Sequence, residues 1–363
     1  MVKAQAFILR CKNSIIRHWK EYRWKSCINS AAKKEKQLPT RDELVIFDTS
    51  IHSLNMGDSI IQYYCDKVIH ELFPEKDPIR IQTHELPNAD ERKNLPGAQI
   101  KLVCGTNIIT PYYEEYSGWK MPDDLYGYQG IITLGVGWAY YCDDISDRSR
   151  RVYRTILSKS GLHSVRDSYT EQKFREMGIY NVMNTGCPTL WGLKPEHCAA
   201  IPTHKAKNVI TTITDYDRDI DCDRLMLKIL LEEYEHVSVW IQGIEDLDYL
   251  KELIDIRTVE IIPRDLASYT TALCRGNVDY VGTRLHAGIH ALNQYVRSLI
   301  VAIDNRAIEM GKDTGLPLIL RENIGKDLAE KIWENRTTKI NLPQYEIDCW
   351  KQQFKRTLNY EGN

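Results

Sequence analysis

Val278-Asp-Tyr-Val-Gly282-Thr283-Arg284-Leu285-His286-Ala-Gly-Ile-His290 is the stretch that decides the fold. Val278–Val281 reads as a short buried strand. It runs through a Gly-Thr turn into a helical pattern with Arg284 and His286 in its first turn. A strand that feeds straight into a helix is the repeating unit of a parallel α/β sheet. Gly282 and Thr283 shape the turn, and an arginine, a histidine and helix N–H groups together suit a phosphate or carboxylate. His286 and His290 share a helix face, but no HExxH glutamate follows and no acidic third ligand is evident, so no metal is expected. His286, nearer the helix start, is the candidate for chemistry, and one of the pair is expected to be a packed helix residue.

The same alternation extends outward in both directions. β-like runs occur at Glu43–Phe47, Gln99–Cys104, Ile131–Leu134, Leu162–Val165, Asn208–Ile213, Val237–Ile241, Val259–Ile262 and Leu299–Ile303. Helical patterns fall between many of them, as at Ser59–Leu72, Ser168–Met177, Asp221–Tyr234 and Leu247–Ile254. The stretch Gly192–Lys207 holds Pro195 and Pro202 with little periodicity, so it separates two units. The expected fold class is α/β: two Rossmann-like parallel-sheet domains, 42–192 and 193–325, facing a cleft. A helical tail, 326–363, is expected to pack back on the first.

Ligands of such sheets bind at the carboxyl ends of strands, and polar residues collect there. Asn55, Gly57 and Asp58 follow the first strand, with Asp58 or Ser59 a plausible N-cap; an ordinary capped turn would look the same. Gly105-Thr-Asn107 and Gly135-Val-Gly137-Trp138 follow two others. The aromatic run Trp138, Tyr140, Tyr141 can stack on sugar rings or fill the core. Arg166 ends a strand beside a helix start, suited either to an anion or to an ion pair with Asp167. The GxGxxG fingerprint and the phosphate loop GxxxxGK[ST] are both absent.

Composition narrows the class. The 363 residues are 43% hydrophobic and 27% charged, as in globular proteins, and the formal net charge of −2 argues against a general nucleic-acid binder. No apolar run approaches a membrane span. The ten cysteines are scattered without a CxxC pair, which suggests free thiols in a reducing cytoplasm, and no signal peptide is expected. Charge is unevenly placed: residues 1–41 carry eleven Lys/Arg against two Glu, a net +9. Ile8, Cys11, Ile15, Trp19 and Tyr22 recur at helical spacing within this arm, which suits either a membrane surface or a packed terminal helix.

Asn55-x-Gly57-Asp58, Gly135-x-Gly137, Ser164-x-Arg166-Asp167 and Arg284-Leu285-His286, in this order and spacing, resemble the polysaccharide pyruvyl transferase family over residues 45 to 305. The resemblance implies a GT-B-like fold, phosphoenolpyruvate as donor and sugar hydroxyls as acceptor. It matches Arg166, and Arg284 with His286, to donor binding and Asn55 and Asp58 to the loop lining the cleft; Gly282 and Thr283, at the helix start, are expected on the donor side. By their chemistry His286 and Asp58 are then the catalytic candidates, and Asn55, Gly57, Asn107, Trp138 and Tyr140 are expected to face the acceptor. No cofactor is expected. The implied activity is pyruvyl ketal formation on a cell-surface polysaccharide or its lipid-linked precursor, in the cytoplasm, with residues 1–38 able to touch the inner membrane face. A GT-B glycosyltransferase using a nucleotide sugar and a non-catalytic, membrane-peripheral scaffold remain as alternative readings.

Overall fold

The computed structural model describes residues 41–115 and 118–359, with side chains as far as Lys355; the expected basic arm lies outside them. The first unit holds four parallel strands: β1 (Arg41–Asp48), β2 (Ile79–Gln82), β3 (Ala98–Cys104) and β4 (Ile132–Leu134), ordered β2-β1-β3-β4. Beside β4 lie β5 (His163–Val165) and β6 (Val182–Asn184), a parallel pair joined to the loop after β4 by the Val136–Val165 bridge. The second unit is one parallel sheet of β7 (Asn208–Thr211), β8 (His236–Trp240), β9 (Glu260–Ile262), β10 (Val278–Gly282), β11 (Ser298–Ala302) and β12 (Leu318–Leu320). Its order is β12-β11-β10-β7-β8-β9. Two parallel α/β units face one another, the GT-B-like arrangement.

Continuous apolar runs become strands here because helices cover both faces of each sheet. In β1, Val45 and Phe47 enter one core while Leu44 and Ile46 enter another. In β11, Leu299 and Val301 likewise part from Ile300 and Ala302. β2 and β12, absent from the sequence reading, are edge strands of four and three residues, too short to show a period.

The helix Met56–Leu72 belongs to both units. Its Ile61, Cys65, Val68, Ile69 and Leu72 pack on the first, whereas Ile60 and Tyr64 pack with residues of the second. The tail divides. Ile324, Leu328 and Ile332 of the helix Ile324–Trp333 pack against Met226, Leu227 and Leu230, so the expectation that the chain from 326 lies on the first unit is corrected for this helix. Its i, i+4, i+8 stripe meets the apolar stripe of Ile220–Glu233. The helix Gln344–Asn359 does return to the first unit, where Ile347, Trp350 and Phe354 join Leu44, Ile46 and Ile61.

Trp350 is fully buried, with ring centroids 6.0 Å from Trp191 and 5.0 Å from Phe354. Trp350→Ala is expected to lower the unfolding free energy by about 3–5 kcal/mol. Denaturant titration followed by circular dichroism checks this.

Candidate active site

Strand order reverses between β1 and β3 in one sheet and between β7 and β10 in the other. Crevices open at the carboxyl ends of strands at such points. The loops that leave these four strands supply most of the lining of a recess between the units: Asn55, Gly57 and Asp58 after β1, Thr106 after β3, Tyr216 after β7, and Thr283, Arg284 and His286 after β10. Gln242, after β8, and Asp304 and Arg306, after β11, complete its polar lining.

On the first unit the N-cap of Met56–Leu72 is Asn55, whose side chain accepts from Gly57 N at 2.9 Å; neither Asp58 nor Ser59 is the cap. Asp58 thus sits in the first turn, buried, with its carboxylate receiving the Ser53 hydroxyl at 2.5 Å. Burial raises its pKa. Ser53, the charge of His84, Thr106 and Arg306 oppose that rise. Across the recess the Gln242 amide donates to Asn55 Oδ1 at 2.7 Å.

On the second unit Arg284 caps the helix Leu285–Asn293 by position, without a side-chain bond to its N–H groups. Its guanidinium turns instead to Ile213 O (2.9 Å), Asp215 (3.0 Å) and Asp246 (2.5 Å), leaving Nη1 unpaired. The charge assigned to a donor is therefore already matched by two carboxylates. Thr283 lines the recess and shares a hydrogen bond with Thr214. Gly282 does not line it: a Cβ there would lie 2.6 Å from Thr212 N, so its role is to let β10 and the β7 exit meet.

His286 is buried with Nε2 3.8 Å from Cys187 Sγ. Burial, then the charges of Arg306 and Arg166, push its pKa down to about 3, with Asp304 opposing. The sequence's candidate for chemistry is thus a neutral imidazole in the ligand-free protein. His290 is the packed member of the pair, between the Tyr64 hydroxyl and Thr270 Oγ1, each at 3.0 Å.

Arg166 is not on the recess surface. It is 1% exposed, bound to Asp167 at 3.0 Å and to Trp138 O, with Nη1 unpaired. Gly137 lies against it so closely that a Cβ would fall 2.1 Å from Cζ. Its charge nevertheless reaches His286, Asp304 and Cys187.

The acceptor residues divide as well. Asn55 and Gly57 line the recess; Asn107 does not, Thr106 taking that place. Trp138 is fully buried in the first core, its indole N–H bonded to Cys142 Sγ, so it presents no face for a sugar. Tyr140 is 39% exposed but lines neither the recess nor the cavity outside it.

Arg306 is the main residue that the sequence reading passed over. It binds Asp304 Oδ2 through Nε at 2.8 Å and donates to the Tyr216 hydroxyl. The Tyr216 ring lies 4.9 Å from the Arg284 guanidinium and 5.8 Å from that of Arg306. The signal was present in outline: Asp304 follows a strand, caps the next helix through Arg306 N and places an arginine in its first turn. Together, an exposed tyrosine between two guanidiniums, a neutral histidine and a buried carboxylate can bind an anion and exchange protons beside it.

The sequence profile of the polysaccharide pyruvyl transferase family matches residues 55–305, well over half of the chain. The chain belongs to that family, and it is a transferase. No match was found among proteins of curated function. Among solved structures, S. aureus MnaA with UDP is similar over 87% of this chain and 96% of its own, at 10% identity and a TM-score of 0.47. A protein from Listeria monocytogenes proposed as a UDP-N-acetylglucosamine 2-epimerase is similar over 85% and 90%, at 9% identity and a TM-score of 0.43.

Burial also holds His163 and His290 down to about 4. An imidazole depressed in the folded state contributes stability that is complete above its unfolded value, about 6.5, and is lost as pH falls toward the folded value. His163→Gln is therefore expected to lose stability less steeply than wild type between pH 6.5 and 4, by about 1.4 kcal/mol per pH unit. Unfolding curves across that range check the slope.

Proposed function

We propose that this protein transfers the pyruvyl group of phosphoenolpyruvate to two hydroxyls of a saccharide, forming a ketal. The observation that carries this reading is the set of groups brought together by the two facing switch points. Arg306 stands at the recess with Arg166 behind it, beside His286 and Asp58, and Arg284 borders it with one nitrogen, Nη1, unpaired. Phosphate and carboxylate need several cationic contacts; a ketal needs a proton delivered to the enol methylene and protons removed from two hydroxyls.

His286 suits the first task once the donor is present. Burial depresses it first and the charges of Arg306 and Arg166 second; the donor's phosphate and carboxylate would offset those charges, so its proton affinity would rise as the donor binds. Asp58, buried against Ser53, would orient an acceptor hydroxyl. The recess holds only about 20 Å³, room for little more than one water, so the donor would enter by parting the loops that carry Asn55 and Gln242.

In a thermal-shift panel, phosphoenolpyruvate at a hundredfold excess over its dissociation constant is expected to stabilise the protein by about 2.7 kcal/mol. Arg306→Ala should abolish that shift. Protection by nucleotide sugars or free nucleotides, with none by phosphoenolpyruvate, would overturn the donor in favour of a glycosyltransferase.

The acceptor we favour is a polysaccharide unit or its lipid-linked precursor. The +9 arm supports it, since each Lys or Arg near an anionic surface contributes about 1 kcal/mol. The full chain should sediment with anionic vesicles and a chain lacking residues 1–38 should not; equal sedimentation would refute membrane contact through the arm.

A further inference from the structure

Directly outside the recess lies a larger cavity of about 620 Å³ that shares Asn55, Tyr216 and Arg284 with it. We propose that this vestibule is the acceptor subsite for a neutral or amino sugar, and that His84 is the base that takes the proton of the attacking hydroxyl. The proposal rests on the pyruvyl-transfer reading above.

The lining sets the class of sugar. Glu85, Asp215 and Glu245 bring three carboxylates, Glu85 beside His52, Glu245 3.4 Å from Arg218 and Asp215 shared with Arg284; that arginine is itself matched by both Asp215 and Asp246. An acidic saccharide would meet like charge there; hydroxyls and amines would meet acceptors. Leu54, Ile244 and Tyr216 are 64%, 50% and 57% exposed, and supply apolar faces of the kind that pack on the C–H face of a sugar ring.

His84 joins the two chambers. It lines the vestibule, while its Nε2 lies 3.8 Å from Oδ2 of Asp58, which lines the recess. Nε2 also lies 2.8 Å from Thr49 O, a group that can only accept. That carbonyl places the proton of the neutral ring on Nε2 and leaves the Nδ1 lone pair available. Nδ1 makes no hydrogen bond among the described residues and is not among the buried atoms, and the side chain is 27% exposed. Thr49 O and Asp58 together would stabilise the imidazolium formed when Nδ1 takes a proton. His286 cannot serve as this base, because it is already required as the donor-side acid.

The protons balance. Oxygen of the first hydroxyl bonds to C2 of the enolpyruvyl group, its proton passing to His84 Nδ1, while C3 takes a proton from His286. The second oxygen then displaces phosphate at C2; the C–O bond to phosphate breaks with its electron pair on phosphate, and the second hydroxyl proton restores His286. His84 gives its proton to the departing phosphate through solvent. One hydroxyl proton thus ends on C3 and the other on hydrogen phosphate.

His84→Gln keeps an amide donor for Thr49 O but has no base. With a panel of neutral and amino aryl glycosides and matching uronides, phosphate release by His84→Gln is expected to fall by about 10²–10⁴-fold in kcat. The thermal shift by phosphoenolpyruvate should survive, and the acid limb of the kcat profile should vanish. The groups facing His84 that also titrate or carry charge are Asp58, Glu85 with its partner His52, Asp215, Glu245 and Arg284, with Arg306 beyond Asp58. Their persistence in the variant makes loss of the limb specific to residue 84.

Unchanged kcat and pH profile, loss of the donor shift in the variant, or preference for uronides would each overturn the proposal. Lack of a donor shift in wild type would instead overturn the donor reading. A measurement that needs no acceptor is the tautomer of His84 by ¹⁵N chemical shifts: neutral His84 protonated on Nε2 is expected, and protonation on Nδ1 would overturn the assignment.

Discussion

The buried ion pair between Arg284 and Asp246 fixes the geometry on which the recess depends. The two side chains are 2% and 0% exposed, so neither charge is screened by water. Removing one partner of such a pair costs about 3–5 kcal/mol, because the other is left buried and unmatched. Asp246 also accepts from the backbone N–H groups of Asp215, Gln242 and Gly243, which pins the loops after β7 and β8 to the turn after β10. Gln242 and Gly243 then meet Asn55, by a side-chain bond and an isolated bridge, and Asn55 caps the helix whose first turn carries Asp58. One guanidinium thereby sets the position of a carboxylate on the other unit. This explains why Arg284, so prominent in sequence, has little charge left for a substrate.

Charge is sorted along the cleft. The inner end gathers Arg306 with Asp304, Arg166 with Asp167, and a histidine held neutral by burial and then by both guanidiniums; the outer end carries Glu85, Asp215 and Glu245. An anion that reaches the inner end meets guanidiniums, whereas one in the vestibule meets carboxylates. Opposite environments of this kind push titratable groups apart, and that separation is what acid and base roles in one reaction require.

Much of this was legible in the sequence, for identifiable reasons. Runs such as Leu299–Ile303 revealed buried parallel strands, and residues just past strands, Asn55, Asp58, Thr283 and His286, fell into the recess because the fold gathers strand ends. Arg306 was missed although it follows the same rule, since nothing local distinguishes its strand end from an ordinary capped helix. Gln242 enters through a contact with Asn55 187 positions away, which no local pattern encodes. Trp138 and Arg166 failed differently. Residue type suggested a ligand, but the packing of Gly137 on Arg166 and of Trp138 in the core is decided by three-dimensional neighbours.

The closeness of the recess has a structural reading in the joint between the units. Along the helix Met56–Leu72 the joint is apolar, through Ile60 and Tyr64, with Tyr64 bonded to His290. At the mouth it is polar: Met56 N to Gln242 O at 3.2 Å, Gln242 to Asn55, and Arg264 to Leu54 O at 3.0 Å. Hydrogen bonds that can be exchanged for water are worth about 0.5–1.5 kcal/mol each, whereas burial of a large apolar side chain contributes roughly 1.5–3 kcal/mol and has no substitute in water. Widening the recess from the mouth therefore costs less than separating the helix from its second-unit neighbours.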